Sequence, residues 1–360
     1  MVRALLGLVV VLVFLACGLL TVLAIGSSTG LTGLTAGFVF ALVPVFVVVP
    51  AFLWLDRFEA EPTSSLLFAF AWGAVVATFL ALLVNSYSLV LLREAGGDPT
   101  VTSVLVAPWV EETCKGAAVL LVLLWRRREF DGVVDGIVYA GLAGVGFAFT
   151  ENVLYFGRSL QESGTAGLAV TFVLRGLFSP FAHPLFTICT GIGLGVAVTT
   201  RRAPVRVVAP LVGWLSAVAL HALWNLSAVA GLQGFLGIYV LVQVPIFLAA
   251  VGFALWARRR EARLVTRHLQ VYAASGWFTP EEVAMLGSMR ERRRARAWAQ
   301  SVGGTGGKRA MGAFQSAATE LAFLRERALR GALPPDDARQ AERNLLREAT
   351  ANRYGFVGIS

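Results

Sequence analysis

Charge is what this chain most lacks. Only 15% of its 360 residues are Asp, Glu, Lys or Arg, while 57% are hydrophobic and the mean hydropathy is +0.71. Soluble domains carry about a quarter charged residues, so that class is excluded and a polytopic membrane protein is implied. Cysteine is scarce as well. Cys17, Cys114 and Cys189 all fall in apolar stretches, which excludes a disulfide framework and leaves the redox compartment open. The first apolar run, about 22 residues behind Met1-Val2-Arg3, is too long for a signal-peptide core and no A-x-A cleavage site follows it. It reads as a retained first helix. The glycines offer no phosphate loop; Gly191, Gly193 and Gly195 instead make a small-residue face that lets helices approach closely.

Eight stretches are long enough to cross a hydrocarbon core of about 30 Å as helices: 4–25, 34–55, 65–92, 102–125, 133–156, 168–199, 207–230 and 236–257. The expected fold class is therefore all-α, a polytopic membrane helical bundle. If the eight alternate, Arg3, Arg57, Arg126 to Arg128, Arg201, Arg202, Arg206 and Arg258 to Arg260 fall on one side, with only Arg93 and Arg158 opposite. The excess of basic residues on short loops marks the cytoplasmic side, so both termini are expected there. Trp125 and Trp256, each beside arginines, read as interfacial anchors.

The charge is unevenly divided. Residues 1–257 hold 12 Lys+Arg and 12 Asp+Glu, whereas residues 258–360 hold 19 and 10, so the whole net charge of +9 belongs to the tail. Two domains are expected: a transmembrane domain, 1–257, with its motif-bearing core at about 100–231, and a basic, helical cytoplasmic tail, 258–360. In the tail, Thr279-Pro280-Glu281-Glu282 has the form of a capping box with proline at the first helical position. Ser301 to Lys308 reads as a flexible break, Phe314, Leu321 and Leu324 mark a second amphipathic helix, and Pro334-Pro335-Asp336-Asp337 opens a third. The run Arg290 to Arg296 is expected to lie near anionic lipid, which attracts basic residues by about 1 kcal/mol each. A solvated helix face is the plainer alternative, and no nucleic-acid partner is expected.

Against this background the buried polar residues stand out. They are Glu111, Glu112 and Lys115 in the fourth predicted span, Glu151 and Asn152 in the fifth, Arg175 and His183 in the sixth, and His221 and Asn225 in the seventh. Each ionised group at bilayer depth costs roughly 2.5 to 3.5 kcal/mol, so such residues persist only where they meet one another or water. Four consecutive helices bring them to similar depths, which points to one shared site. Within helices the spacing is three or four: Lys115 can reach both glutamates, and Phe147 with Glu151, His183 with Thr187, and His221 with Asn225 share faces. Imidazole and amide on one face can hold water or polarise a carbonyl, as hydrolysis requires. Glu112 with Lys115 also admits a purely structural ion pair, a lone intramembrane histidine is often a strut between helices, and Arg175 reads as structural, pairing with Glu151 or a phosphate.

EETCK from Glu111, FAFTEN from Phe147, HPLFT from His183 and HALWN from His221 fit or approach the motifs E-E-x-x-K, F-x-x-x-E-N, H-A-x-x-T and H-A-x-x-N. In that order, on four successive helices, the set resembles the PrsW family of intramembrane metalloproteases, distant relatives of the type II CAAX prenyl endopeptidases. The resemblance covers roughly residues 35–257, including Arg175 and the segment from Asp131-Gly132 to Tyr139. Pro184 departs from the pattern, and the tail lies outside it. The resemblance implies cleavage of a peptide bond at or near the membrane of a bacterial cell, with a single-span protein such as an anti-sigma factor as substrate. It also implies Glu111 or Glu112 as general base, Lys115 holding the second glutamate, Glu151, His183 and His221 binding a metal or the water, and Asn225 stabilising the oxyanion.

Two histidines, a carboxylate and water form a catalytic zinc set, so one Zn2+ is possible. A buried glutamate could serve unaided, so a metal-free mechanism stands beside it. The rival reading from another class is a proton-coupled secondary transporter or channel using the same acids and histidines. Transporters usually carry inverted repeats, and no second copy of the E-E-x-x-K segment is present. A scaffold that has lost catalysis would be marked by missing site residues, and all are here.

Overall fold

The computed structural model describes residues 2–58, 60–126 and 130–357, so Arg127 and Arg128 of the predicted basic run lie outside the described residues. Every regular element among the described residues is helical. In chain order they are α1 (Val2–Leu55), α2 (Thr63–Ala71), α3 (Thr78–Glu94), α4 (Ala107–Trp125), α5 (Val133–Phe172), α6 (Ala182–Thr199), α7 (Ala203–Val229), α8 (Gly231–Ile238), α9 (Val244–Ala274), α10 (Pro280–Leu286), α11 (Met289–Leu329) and α12 (Pro335–Val357). Short π-helical segments at Trp72–Ala77, Thr102–Val106, Val173–Phe178 and Tyr239–Gln243 run into their neighbours.

Five helical stretches are long and apolar enough to cross a bilayer: Gly7–Leu55, Thr63–Glu94, Val133–Thr199, Ala203–Val229 and Gln233–Ala274. The sequence reading expected eight spans. Two physical features separate these counts. The stretches Gly7–Leu55 and Val133–Thr199 hold 49 and 67 residues, about 74 Å and 100 Å at 1.5 Å per residue, far beyond a single crossing. Each is broken by a glycine with positive φ, Gly30 at 63° and Gly164 at 66°, a conformation that disfavours any other residue. The chain doubles back at both: Ile25 packs in one cluster with Ala41, and the Phe156 and Phe172 rings approach to 5.8 Å. The two bends also meet, because Gln161 donates its amide to the Thr29 carbonyl freed at the first. α4 is set apart by its composition, since it carries Glu111, Glu112 and Lys115.

The chain divides into two compact units, Met1–Trp54 with Glu61–Gly252, and Leu55–Ala60 with Phe253–Ser360. In the first, backbone-to-backbone approaches at glycine set the packing. A Cβ on Gly136 would lie 2.1 Å from the Gly191 carbonyl oxygen, and one on Gly73 would lie 2.0 Å from that of Ala143. Gly191 and Gly195 face α5 while Gly193 faces Ala209 of α7, so the small-residue face anticipated on α6 seats a helix on each side.

The second unit has its own core, built on Val265, Leu269, Leu286, Phe314 and Leu321. Its α10 begins with the expected cap, Thr279 Oγ1 accepting from the Glu282 amide at 3.2 Å while Glu282 accepts from the Thr279 amide at 2.9 Å. The stretch read as a flexible break is helical instead, interrupted only at Gly303 and Gly304. Ala299 and Gly307 pack closely across that bend, so burial holds the segment in place of loop entropy.

Candidate functional site

α4 supplies three ionisable side chains because Glu111, Glu112 and Lys115, at spacings of three and four, share the face turned into the bundle. Lys115 and Glu112 are fully buried and Glu111 is 6% exposed. Lys115 Nζ lies 2.5 Å from Glu112 Oε1 and 3.8 Å from Glu111 Oε2, so it neutralises the second glutamate far more closely than the first. It also sits 4.3 Å above the Phe147 ring. Glu112 has further donors in Thr187, whose hydroxyl reaches Oε2 at 2.9 Å, and His221, whose Nδ1 is 2.9 Å from Oε1.

Hydrogen-bond partners fix the histidine tautomers. His183 Nδ1 faces Lys115 Nζ at 3.3 Å and must accept there, which leaves its Nε2–H to donate to Glu151 Oε2 at 2.7 Å. His221 donates from Nδ1 to Glu112, so its Nε2 presents a bare lone pair. That lone pair points at Glu111 Oε2, 3.6 Å away. Glu111 Oε2 is itself buried without a hydrogen-bond partner among the described residues. Two acceptors therefore face one another 3.6 Å apart, which is unfavourable unless a proton, a water or a cation lies between them. The two imidazoles stand perpendicular with centroids 5.1 Å apart, and Phe186 stacks on His221 at 5.2 Å.

Glu151 belongs to a different arm of the network. Arg175 Nη2 lies 2.5 Å from its Oε2, the same oxygen that His183 reaches, and Arg175 Nε donates to Asn152 Oδ1 at 2.8 Å. Arg175 thus pairs with Glu151, one of the two partners considered from sequence. With histidines neutral, the three carboxylates against Lys115 and Arg175 leave a formal charge of −1 in the network.

A cavity of about 530 Å3 opens beside these groups, lined among others by Glu111, Glu151, His183, Asn225 and Arg158. Glu112 and Lys115 lie behind that wall. Asn225 shares the cavity, yet its Nδ2 donates to the Ser103 carbonyl at 2.8 Å, so the amide proposed for an oxyanion is engaged with the backbone of the segment preceding α4. Asn85 was missed by sequence reasoning: its Nδ2 donates to Glu111 Oε1 at 3.2 Å. It is the lone side-chain amide of its span, and that was the available signal.

One ligand atom each from Glu111, His183 and His221 lie within 4.8 Å of one another. Two imidazoles and a carboxylate match the donor set of catalytic zinc sites. The orphaned Glu111 oxygen opposite the bare His221 nitrogen, with Glu112 holding the far side of that imidazole, supplies the outer support that such ligands need. In residue type these fit a divalent cation, with Glu111 Oε2 and His221 Nε2 offering lone pairs, whereas His183 would have to exchange its Lys115 contact for the ion. The carboxylate in that cluster is Glu111, whereas Glu151, expected as the metal's carboxylate, is held by Arg175.

Residues 61–250 match the family described as PrsW family intramembrane metalloprotease. Among curated proteins, the chain is 31% identical over 157 residues to Protease PrsW of Clostridioides difficile (strain 630), covering 43% of this chain and 63% of that one. It is 29% identical over 159 residues to Protease PrsW of Geobacillus kaustophilus (strain HTA426), covering 43% and 64%. With Protease PrsW of Bacillus subtilis (strain 168) the identity is 28% over 158 residues, covering 43% and 66%. The chain thus spans less than two thirds of the length of each of these relatives. No solved structure matches it significantly.

Proposed function

The chain belongs to the PrsW family of intramembrane metalloproteases, and from that footing we propose that it is an endopeptidase hydrolysing a peptide bond of a single-span membrane protein. The observation that carries the proposal is the buried Glu111 Oε2, without a hydrogen-bond partner among the described residues, facing His221 Nε2 at 3.6 Å beside a cavity of about 530 Å3. That volume admits an unwound peptide segment and its attacking water, and a bilayer site must provide both. The work is carried out in a bacterial cell membrane, with the basic loops and both termini in the cytoplasm.

Glu111, His183 and His221 would hold a divalent cation, which when bound would supply Lewis-acid activation of water and of the scissile carbonyl. The protein's own groups account for the rest. In the metal-free alternative Glu111 takes the proton of the attacking water, since its Oε2 has no hydrogen-bond donor among the described residues, and Asn85 fixes its other oxygen. Glu112 locks His221 into the tautomer that keeps Nε2 available, and Lys115 keeps Glu112 ionised in a water-poor setting. His183, oriented by Glu151 and Arg175, points its polar edge at the same space. Arg158 at the cavity wall gives the peptide a cationic rim.

The test is cleavage of a single-span reporter by the full chain in proteoliposomes. Glu111→Gln keeps the Asn85 bond but removes the base, and a loss of at least about 100-fold is expected, within the usual range for general-base catalysis. Wild-type cleavage by that variant would overturn the assignment. Metal analysis of the purified wild type, beside the His221→Ala variant, reports separately on whether these ligands hold a cation.

A further inference from the structure

The cavity beside the buried acids carries a cation that the hydrolytic network does not use. Arg158 lines it together with Glu111, Glu151, Tyr155 and Arg175. Arg175 is committed, since its guanidinium holds Glu151 and Asn152 and lies 4.1 Å from the Tyr155 ring centroid. Arg158 is exposed, and among the described residues no acid forms an ion pair with it, Glu162 one turn on included. Tyr155, three residues before Arg158 on the same face of α5, is 42% exposed, and its hydroxyl has no hydrogen-bond partner among the described residues. A guanidinium fork and a phenol side by side are donors without an acceptor, and a carboxylate is the acceptor that matches both.

Their position relative to the reacting groups sets a length. Arg158 stands seven residues past Glu151 on α5, about two turns and about 10 Å of axial rise. Glu151 is joined to His183 at 2.7 Å, and His183 groups with Glu111 and His221. An extended peptide advances about 3.3 Å per residue, so about three residues cover that distance. Charge separates the two ends of such a segment. Without a metal the network is formally −1 and repels a substrate acid placed near Glu111. Coulomb energy falls inversely with distance, so repulsion across about 10 Å is roughly 2.5 times weaker than the attraction of a contact at about 4 Å. An acid is therefore favoured at the Arg158 end and disfavoured at the other.

We propose that Arg158, with Tyr155 beside it, is a specificity-determining group of the cavity and takes the carboxylate of a substrate Asp or Glu about three residues from the scissile bond. The inference rests on the proteolytic reading and deepens it by naming a substrate class, a membrane-anchored segment that carries an acid at that spacing.

The experiment uses the full chain in neutral detergent and a panel of peptides of one apolar sequence, carrying Asp, Asn or Lys about three residues before or after the cleaved bond. At one of those two positions Asp should raise kcat/KM at least about tenfold over Asn, as a charge-assisted hydrogen bond would. Arg158→Gln should abolish that preference and Arg158→Glu should transfer it to Lys. Arg93→Gln, which removes the same charge from an exposed position at the end of α3, should keep the wild-type ratio. Affinity of the same peptides for the Glu111→Gln chain, with and without Arg158→Gln, reads the preference independently of turnover. Equal use of Asp and Asn at both positions, or a preference that survives in Arg158→Gln, would overturn the proposal while the observed cleavage leaves the endopeptidase reading standing. If no peptide is cleaved, the endopeptidase reading fails; a binding preference for Asp that Arg158→Gln removes would then still support the acid site, and its absence would overturn that as well.

Discussion

Lys115→Met is the sharpest test of how the buried charges are arranged. Methionine keeps much of the side-chain length and the packing on Phe147, so the change isolates the ammonium. In the wild type that ammonium holds Glu112 at 2.5 Å and His183 at 3.3 Å, and it stands 3.8 Å from Glu111. Without it, Glu112 retains Thr187 and His221 as its donors among the described residues, and one negative charge stays fully buried with no described cation in contact. Breaking a buried pair by removing one partner costs about 3 to 5 kcal/mol. Two remaining hydrogen bonds place this case toward the lower figure, about 3 kcal/mol. The double variant Glu112→Gln/Lys115→Met removes the orphaned charge as well, and replacing both partners of a buried pair is often close to neutral. It should therefore recover most of the loss, to within about 1 kcal/mol of the single Glu112→Gln. The assay is reversible unfolding of the full chain in mixed detergent micelles, read as a double-mutant cycle. A coupling energy near zero, with the two single losses simply adding, would refute the view that Lys115 exists to balance Glu112.

Two further outcomes follow from particular contacts. Gly191→Val should destabilise the bundle by about 1 to 3 kcal/mol or more, because its Cβ alone would meet the Gly136 oxygen at 2.0 Å and force α5 and α6 apart. Cleavage should fall with it, since Glu151 and His183 ride on those helices, whereas Gly252→Ala, which would meet nothing within 4 Å, should unfold like the wild type. In the second unit, burial tends to raise the Glu326 carboxyl, but hydrogen bonds from His268 and Arg330 outweigh it and hold it below the usual carboxylate range. A lowered acid contributes stability that is present at neutral pH and is lost as pH falls through its folded-state value, so α9 and α11 should lose amide-exchange protection as pH falls below the usual carboxylate range. Glu326→Gln should flatten that response, and an unchanged acid profile in the variant would show that other carboxylates control it.

How much of this was legible in the sequence depended on whether the relevant signal was local. Charges inside apolar runs are local, so Glu111, Glu112, Lys115, Glu151, Arg175, His183 and His221 could be grouped as one polar network before any coordinates. Spacing of three and four also marked which neighbours on one helix share a face, and the Thr279 cap lay within four residues. Division of labour among the carboxylates was not local. Glu111 and Glu112 are adjacent, so only the direction each takes from α4 decides which meets Lys115 and which meets the cavity. Glu151 was expected as a metal's carboxylate because nothing in one dimension shows that Arg175, twenty-four residues on, returns through the bend at Gly164 to hold it. Asn225 shows the same limit, since its periodicity with His221 is real while its bond to Ser103 depends on where the chain before α4 passes.

The tolerance of so many charges in so apolar a chain then has a physical reading. Each member of the network is held by a partner on another helix: Glu112 by His221 and Thr187, Lys115 by His183, and Glu151 by Arg175. Together these links tie α4, α5, α6, α7 and the segment before α6 by polar contacts, where apolar packing discriminates poorly because lipid tails are equally apolar. Glu111 Oε2 is the exception, a buried acceptor with no donor among the described residues, and its cost must be offset by the stability of everything around it. A bundle built only for stability would have placed a glutamine there, as it would have gained a donor and lost a charge. The retained carboxylate is unfavourable for folding, and its Oε2 is a buried acceptor that the described side chains leave without a hydrogen-bond donor, which is the state a proton acceptor requires.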